Sequence, residues 1–119
     1  VANKIYILKD QSGTIICQKM IEANAIFDRM KGLMFTKEMP SCDGFLISPC
    51  NSIHTFFMVF NLDVLFLDKN YKVVKALYNL PPWRMTLIYF QAHKVLEMKA
   101  GDMKRDIKKG DVLEAVCLN

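Results

Sequence analysis

The sequence has little of what metal and nucleophile chemistry is usually built from. Its 119 residues include two histidines, one tryptophan, four prolines and five glycines, and no Cys-x-x-Cys pair. Seven residues separate Cys42 from Cys50, which is not zinc-knuckle spacing, so no metal and no cofactor is expected. Long apolar runs are also missing. The longest are strand length and are broken by Asn61, Asp63 and Asp68, so no membrane-spanning helix fits. The first residues show no basic region followed by an apolar core. The visible sequence therefore reads as cytoplasmic, or as exported if a signal peptide has been removed from a chain that does not begin with methionine. Charge of one sign is lacking too. The net +4 is spread from Lys4 to Lys109, and its densest stretch (Lys99, Lys104, Arg105, Lys108, Lys109) is interrupted by Asp102 and Asp106. Mixed signs describe a solvated face better than a nucleic-acid stripe, and no nucleic-acid partner is expected.

What is present is globular: 52% hydrophobic and 24% charged residues, enough for one core in a single domain over residues 1–119. Cys17, Cys42, Cys50 and Cys117 permit three pairings, and buried free thiols are the simpler expectation. The eight methionines lie mostly beside apolar runs, as adaptable core filler rather than a soft metal site.

Lys4 to Lys9 and Thr14 to Lys19 flank Asp-Gln-Ser-Gly and predict an opening hairpin. Ile26, Met30, Leu33 and Met34 then share one helical face within Asn24 to Phe35, with Asn24 as N-cap. From Gly44 the pattern turns to short strands: Gly44–Ser48, Ile53–Phe60, Val64–Leu67, Lys72–Tyr78, Thr86–Phe90, Lys94–Met98 and Asp111–Leu118. Pro81 and Pro82 interrupt the ladder, and Gly101 to Lys109 reads as a helical turn or two. The fold class expected is mainly β with one or two short helices, a largely antiparallel barrel-like or sandwich domain.

Chemistry is sought where polar residues interrupt apolar runs, since an unpaired polar group is costly to bury. His54 lies in such a run. On a strand it would share a face with Phe56 and Met58 and could act as a general base, or it could be a packed imidazole bonded to backbone. Asp63, at an apparent break between strands, could orient His54 or cap a turn. Cys50, in Ser-Pro-Cys-Asn-Ser, is the better nucleophile candidate beside Ser52 and Thr55, although none lies in a nucleophile elbow. Trp83 and Arg84 follow a stiff diproline and could offer an aromatic plane and a guanidinium to a ligand. Alternatively, Arg84 could pair with a buried acid such as Asp63 or Glu97. Glu97, flanked by Leu96 and Met98, would point opposite to both, and an acid there usually faces water.

Read in order, these pieces resemble the domain of unknown function 192 family. The resemblance is carried by Arg29-Met-Lys-Gly32-Leu33-Met34-Phe35 with Asp43-Gly44-Phe45-Leu46, and by Ser52-Ile53-His54-Thr55-Phe56-Phe57-Met58 with Asn61 to Asp68. Pro82-Trp83-Arg84, Ala92 to Gly101 and Ile107 to Asp111 continue it, so the match runs from about residue 22 to 115. Many members have Met-Lys-Asn-Thr in the central block. This chain has Phe57-Met58-Val59-Phe60-Asn61 and resembles the branch with His-Thr-Phe, so a site built on the other branch's lysine does not carry over. The resemblance implies a compact, mainly β barrel-like or sandwich domain, often exported in bacteria and archaea, and no agreed reaction or catalytic residue.

Three readings follow. The first is a non-catalytic binding or accessory module, with His54, Asp63, Trp83, Arg84, Glu97 and Arg29 around a cleft for a small anionic or peptidic ligand. The second is a hydrolase with His54 as general base, Asp63 orienting it and Cys50 or a water as nucleophile. The third is a structural domain in which Arg84 pairs with an acid and only stabilises the fold. The partner expected is a small molecule or a peptide, and the sequence does not fix an oligomeric state.

Overall fold

The computed structural model describes residues 4–23, 42–103 and 107–119. Within them seven strands form one mixed sheet: β1 (Ile5–Lys9), β2 (Ile15–Ala23), β3 (Gly44–Ile47), β4 (Leu62–Leu67), β5 (Val73–Leu80), β6 (Lys94–Lys99) and β7 (Glu114–Cys117). The spatial order is β5-β4-β6-β3-β2-β1-β7. Only β2 and β3 pair in parallel; every other neighbouring pair is antiparallel. The mainly β reading holds. No helix occurs among the described residues, and none there is long and apolar enough to cross a membrane. The helix expected over Asn24 to Phe35 lies outside the described residues. In the described part of 101–109 the chain turns rather than winding into a helix.

The two hairpin turns share one device. Asp10 accepts the N–H groups of Ser12 and Thr14, and Asp68 those of Asn70 and Lys72, at 2.8–3.0 Å. Each carboxylate satisfies the backbone of the loop that follows it, leaving Gly13 (φ 87°) and Tyr71 (φ 62°) in the left-handed region.

Alternation along the central strands divides the core into two clusters. Leu65 and Leu67 of β4, Leu96 and Met98 of β6, Leu46 of β3, Met20 of β2 and Leu8 of β1 pack together on one face. Leu62, Val64 and Phe66, with Val95 and Phe45, pack on the other, joined there by Ile53, Met58 and Ala92 from loops. All six residues of β4 are buried, so both of its faces are covered. The sheet curls around the first cluster but is not closed into a barrel. Its outer strands approach through an isolated bridge, Lys72 to Val112, and through the Tyr78 hydroxyl, which accepts the N–H of Ile107 and donates to its carbonyl.

Two expected strands are absent. Residues 53–60 and 86–90 are loops, and among the described residues the one ladder-type pairing in this region is the isolated bridge between His54 and Met85. Phe57, at φ 66°, turns the first of these out of the extended conformation, so Met58 is buried in the core rather than sharing a face with His54. Asp63, read as a break, lies inside β4. Its Oδ1 accepts the Asn79 N–H (2.9 Å) at a bulge in β5, and its Oδ2 accepts the Gly101 N–H (3.0 Å) at the turn leaving β6. Asp63→Ala would leave both amides without this acceptor. A loss of about 3 kcal/mol is expected in denaturant unfolding, with Asp63→Asn intermediate.

Asp43 ties the entry of β3 to β2. Its carboxylate accepts the N–H groups of Gln18 and Lys19 (both 2.7 Å) and the Cys17 thiol (2.9 Å). Burial alone would raise its pKa. The hydrogen bonds from Cys17, Gln18 and Lys19 outweigh that and hold the carboxyl below its ordinary value. The Cys17 thiol is pushed up, first by burial and then by its bond to Asp43. A lowered carboxyl pKa contributes stability that is present above the ordinary aspartate value of about 4 and lost as pH falls through the lowered one. Asp43→Asn should therefore flatten the acid limb of a stability–pH curve, and an unchanged limb would contradict this assignment.

Candidate functional site

The site is built where loop 48–60 meets loop 81–93. Thr55, 0% exposed, joins them. Its hydroxyl donates to the Pro81 carbonyl (2.7 Å) and accepts the Arg84 N–H (2.9 Å). Its own N–H donates to the Arg84 carbonyl (2.8 Å), and its carbonyl accepts the N–H groups of Trp83 (3.0 Å) and Met58 (3.2 Å). Thr55 is a nucleophile candidate by composition alone. With both roles of its hydroxyl engaged by backbone in a sealed position, it holds the loops instead.

Around this clasp the rings form a series. His54 stacks on Phe56 (centroids 4.8 Å), Phe56 on Trp83 (5.8 Å), and Phe57 meets Trp83 edge-on (4.7 Å). Trp83 and Phe57 are both left-handed and both exposed. The Phe56 N–H points to His54 Nδ1 at 3.3 Å, which makes that nitrogen an acceptor and leaves the proton of a neutral ring on Nε2.

Beside the rings is an open cleft of about 770 Å³, lined by Cys50, Ser52, Ile53 and His54 from one loop and Met85 to Ile88 and Phe90 from the other, with Ile47 among its lining residues. Most of its lining is apolar. Met85 is 72% exposed, Leu87 74%, Ile88 54% and Phe90 86%. These exposed apolar side chains lie close together in the sequence and line the same cleft. The Cys50 thiol donates to the Ser52 carbonyl (3.1 Å), and none of the four cysteines is in a disulfide. Cys17 is buried as expected, Cys42 and Cys50 are half-buried and Cys117 is exposed.

Of the residues expected to form a site, the cleft and its rim gather His54, Cys50, Ser52, Trp83 and Arg84. Asp63 is not brought to His54, because both of its oxygens hold backbone amides. Glu97 points opposite to Leu96 and Met98 but does not face water. It is fully buried on the second cluster's face, cross-strand to Phe45 and Val64. Arg84 is exposed, and among the described residues it makes no ion pair. The pairing of Arg84 with Asp63 or Glu97 is thus not formed, because the guanidinium lies on the loop surface while the acids lie inside the sheet. Arg29 lies outside the described residues.

A second polar group has no signature in the sequence. The Tyr6 hydroxyl donates to Glu22 (2.9 Å), Lys94 approaches the same carboxylate (4.0 Å), and Lys94 lies over the Tyr71 ring (5.3 Å). Burial, then the bond to Glu22, raises the Tyr6 pKa. These residues come from β1, β2, the β4–β5 turn and β6, and no local spacing announces them.

The architecture is shared with solved structures. A protein from Sinorhizobium meliloti, described as a candidate transcription regulator, superposes with a TM-score of 0.73 over 97% of this chain and 96% of its own, at 24% identity. A protein of unknown function from Novosphingobium aromaticivorans gives 0.72 over 92% and 83%, also at 24%. Identity at that level carries the fold alone. These matches define the class, a small curled-sheet domain. The chain belongs to the domain of unknown function 192 family, described as an uncharacterized ACR, whose profile matches residues 8–115. A UPF0127 protein of Pyrococcus horikoshii is 37% identical over 91 residues, covering 72% of this chain and 76% of that protein. A UPF0127 protein of Thermococcus sibiricus is 34% identical over 83 residues, covering 66% of this chain and about half (53%) of that protein.

Thr55→Val keeps the shape and removes the hydroxyl. It should cost about 2 kcal/mol and speed amide exchange over 83–86 ahead of that in β4; unchanged exchange there would deny Thr55 its clasping role.

Proposed function

We propose that this domain is a non-catalytic binding or accessory module, and that the cleft beside His54 takes a peptidic ligand with apolar side chains. The observation carrying this reading is the exposure of Met85, Leu87, Ile88 and Phe90, all of which line a cleft of about 770 Å³. Apolar lining with a few polar groups, here Ser52, His54 and Thr86, is the usual chemistry of a binding site. The small anionic ligand is less well served, since Arg84 is the cation at the rim and the cleft itself is apolar.

The hydrolase reading draws some support from Cys50 and His54 lining one cleft. Against it, Asp63 is engaged at Asn79 and Gly101, and the Cys50 thiol points to the Ser52 carbonyl. No burst of p-nitrophenyl ester hydrolysis sensitive to Cys50→Ala is expected.

The test is an array of synthetic peptides about eight residues long, differing in apolar content, with binding confirmed in solution through the fluorescence of Trp83, the single tryptophan. Leu87→Asp and Phe90→Ser should each weaken binding about tenfold or more while leaving the melting temperature of the unliganded protein nearly unchanged, because both side chains are exposed. Binding that survives both substitutions would move the ligand elsewhere.

A further inference from the structure

We infer that the peptide is held by strand addition along Met85 to Ile88, with an acidic group of the peptide against Arg84. This rests on the binding reading above and adds to it the partner's chemistry and the role of its backbone.

The bridge between His54 and Met85 fixes the direction of the backbone groups. It is flanked by hydrogen bonds from Thr55 N–H to the Arg84 carbonyl and from Thr86 N–H to the Ile53 carbonyl. In that antiparallel pattern Met85's own N–H and carbonyl point away from 53–55. Among the described residues, the N–H groups of Met85, Leu87 and Ile88 donate no hydrogen bond. The segment therefore presents an edge whose donors are unused among the described residues. Such edges are normally blunted by charge, proline or a cover, because they are templates for another strand. From Met85 to Ala92 this one contains neither a charged residue nor a proline. Met85 to Ile88 also line the cleft, so those side chains of an added strand that face it would enter it while their alternates face away.

Charge selects the kind of strand. Arg84 stands exposed at the start of the edge, with no ion pair among the described residues, and a guanidinium there suits a carboxylate. A second copy of this chain pairing edge to edge would bring no acid to Arg84, since residues 81–92 contain none. An extended peptide with an aspartate or glutamate followed by alternating apolar residues meets both requirements.

The experiment begins with the tightest peptide from the array. N-methylation of successive peptide nitrogens should weaken binding to the wild-type protein about tenfold or more at alternate positions and less than about twofold between them. Uniform tolerance would overturn strand addition while leaving a side-chain-only peptide site standing. If no peptide on the array binds above scrambled controls, both readings fall. Leu87→Pro removes one edge donor that the fold does not use. It should abolish binding that Leu87→Ala only weakens, with the melting temperature recording that the variant is folded. Replacing the peptide's acid by its amide should weaken binding about tenfold at low salt and make Arg84→Gln silent; equal affinity for acid and amide would overturn the acidic requirement. Light scattering should give a monomer, and a dimer dissolved by Leu87→Pro would assign the edge to a second copy and overturn the proposal.

Discussion

The middle of this sheet has no wet side, and that constraint organises the rest. Every residue of β4 is buried, as are the four central residues of β6 and all of β3. A strand covered on both faces needs two covers, each with its own apolar contacts. The first is the sheet itself, curling so that β1, β2 and the 107–113 segment close over Leu65, Leu67, Leu96 and Met98. The second includes the loops on either side of the Thr55 clasp, which drop Ile53, Met58 and Ala92 onto Leu62, Val64 and Phe66. The loops are held by this packing before any ligand is considered, and the surface they leave over is the candidate site.

That double burial also explains which parts of the fold were legible. β1, β2, β3, β5 and β6 could be read because each is a short β-prone run between turn residues, and the Asp10 and Asp68 turns carry their own chemistry. β4 was legible only in its second half. Asp63 looks like the end of a strand because an acid is not expected in a strand buried on both faces. It is tolerated there because two backbone amides, at Asn79 and Gly101, meet its oxygens, and both lie far along the chain. Residues 53–60 and 86–90 failed in the opposite direction. They have the composition of strands, but β propensity measures fit to a pleated surface, and here the surface is supplied by a turn at Phe57 and a threonine that binds across the loops.

The candidate site was half legible for the same reason. His54, Trp83 and Arg84 stand out as polar or aromatic residues beside prolines and apolar runs, and the structure does bring them to one rim. Met85, Leu87, Ile88 and Phe90 do not stand out, because an apolar residue in a sequence reads as core. Only the fold reveals that these four face solvent. Glu97 is the converse case. Its direction relative to Leu96 and Met98 followed from alternation, but its burial depends on loops that alternation cannot see.

Two bulky residues in the left-handed region, Phe57 and Trp83, meet within one ring cluster, and each costs on the order of 1–3 kcal/mol. The bonds of Thr55 hold the backbone on both sides of them, so the strain is offset locally and the loops are left with little freedom. On the binding reading, an edge mounted on such loops would be in position when its ligand arrives, and little of the association free energy would be spent in ordering it. A catalytic site would need the same rigidity directed at a reacting atom, with an acid, a base and a nucleophile converging on it. Here Asp63 faces the backbone and the Cys50 thiol faces the Ser52 carbonyl, while the cleft and its edge offer His54, Ser52 and Thr86, Met85's own amide and carbonyl, an arginine and a row of apolar side chains. On the binding reading, those groups would recognise the backbone and side chains of an extended chain.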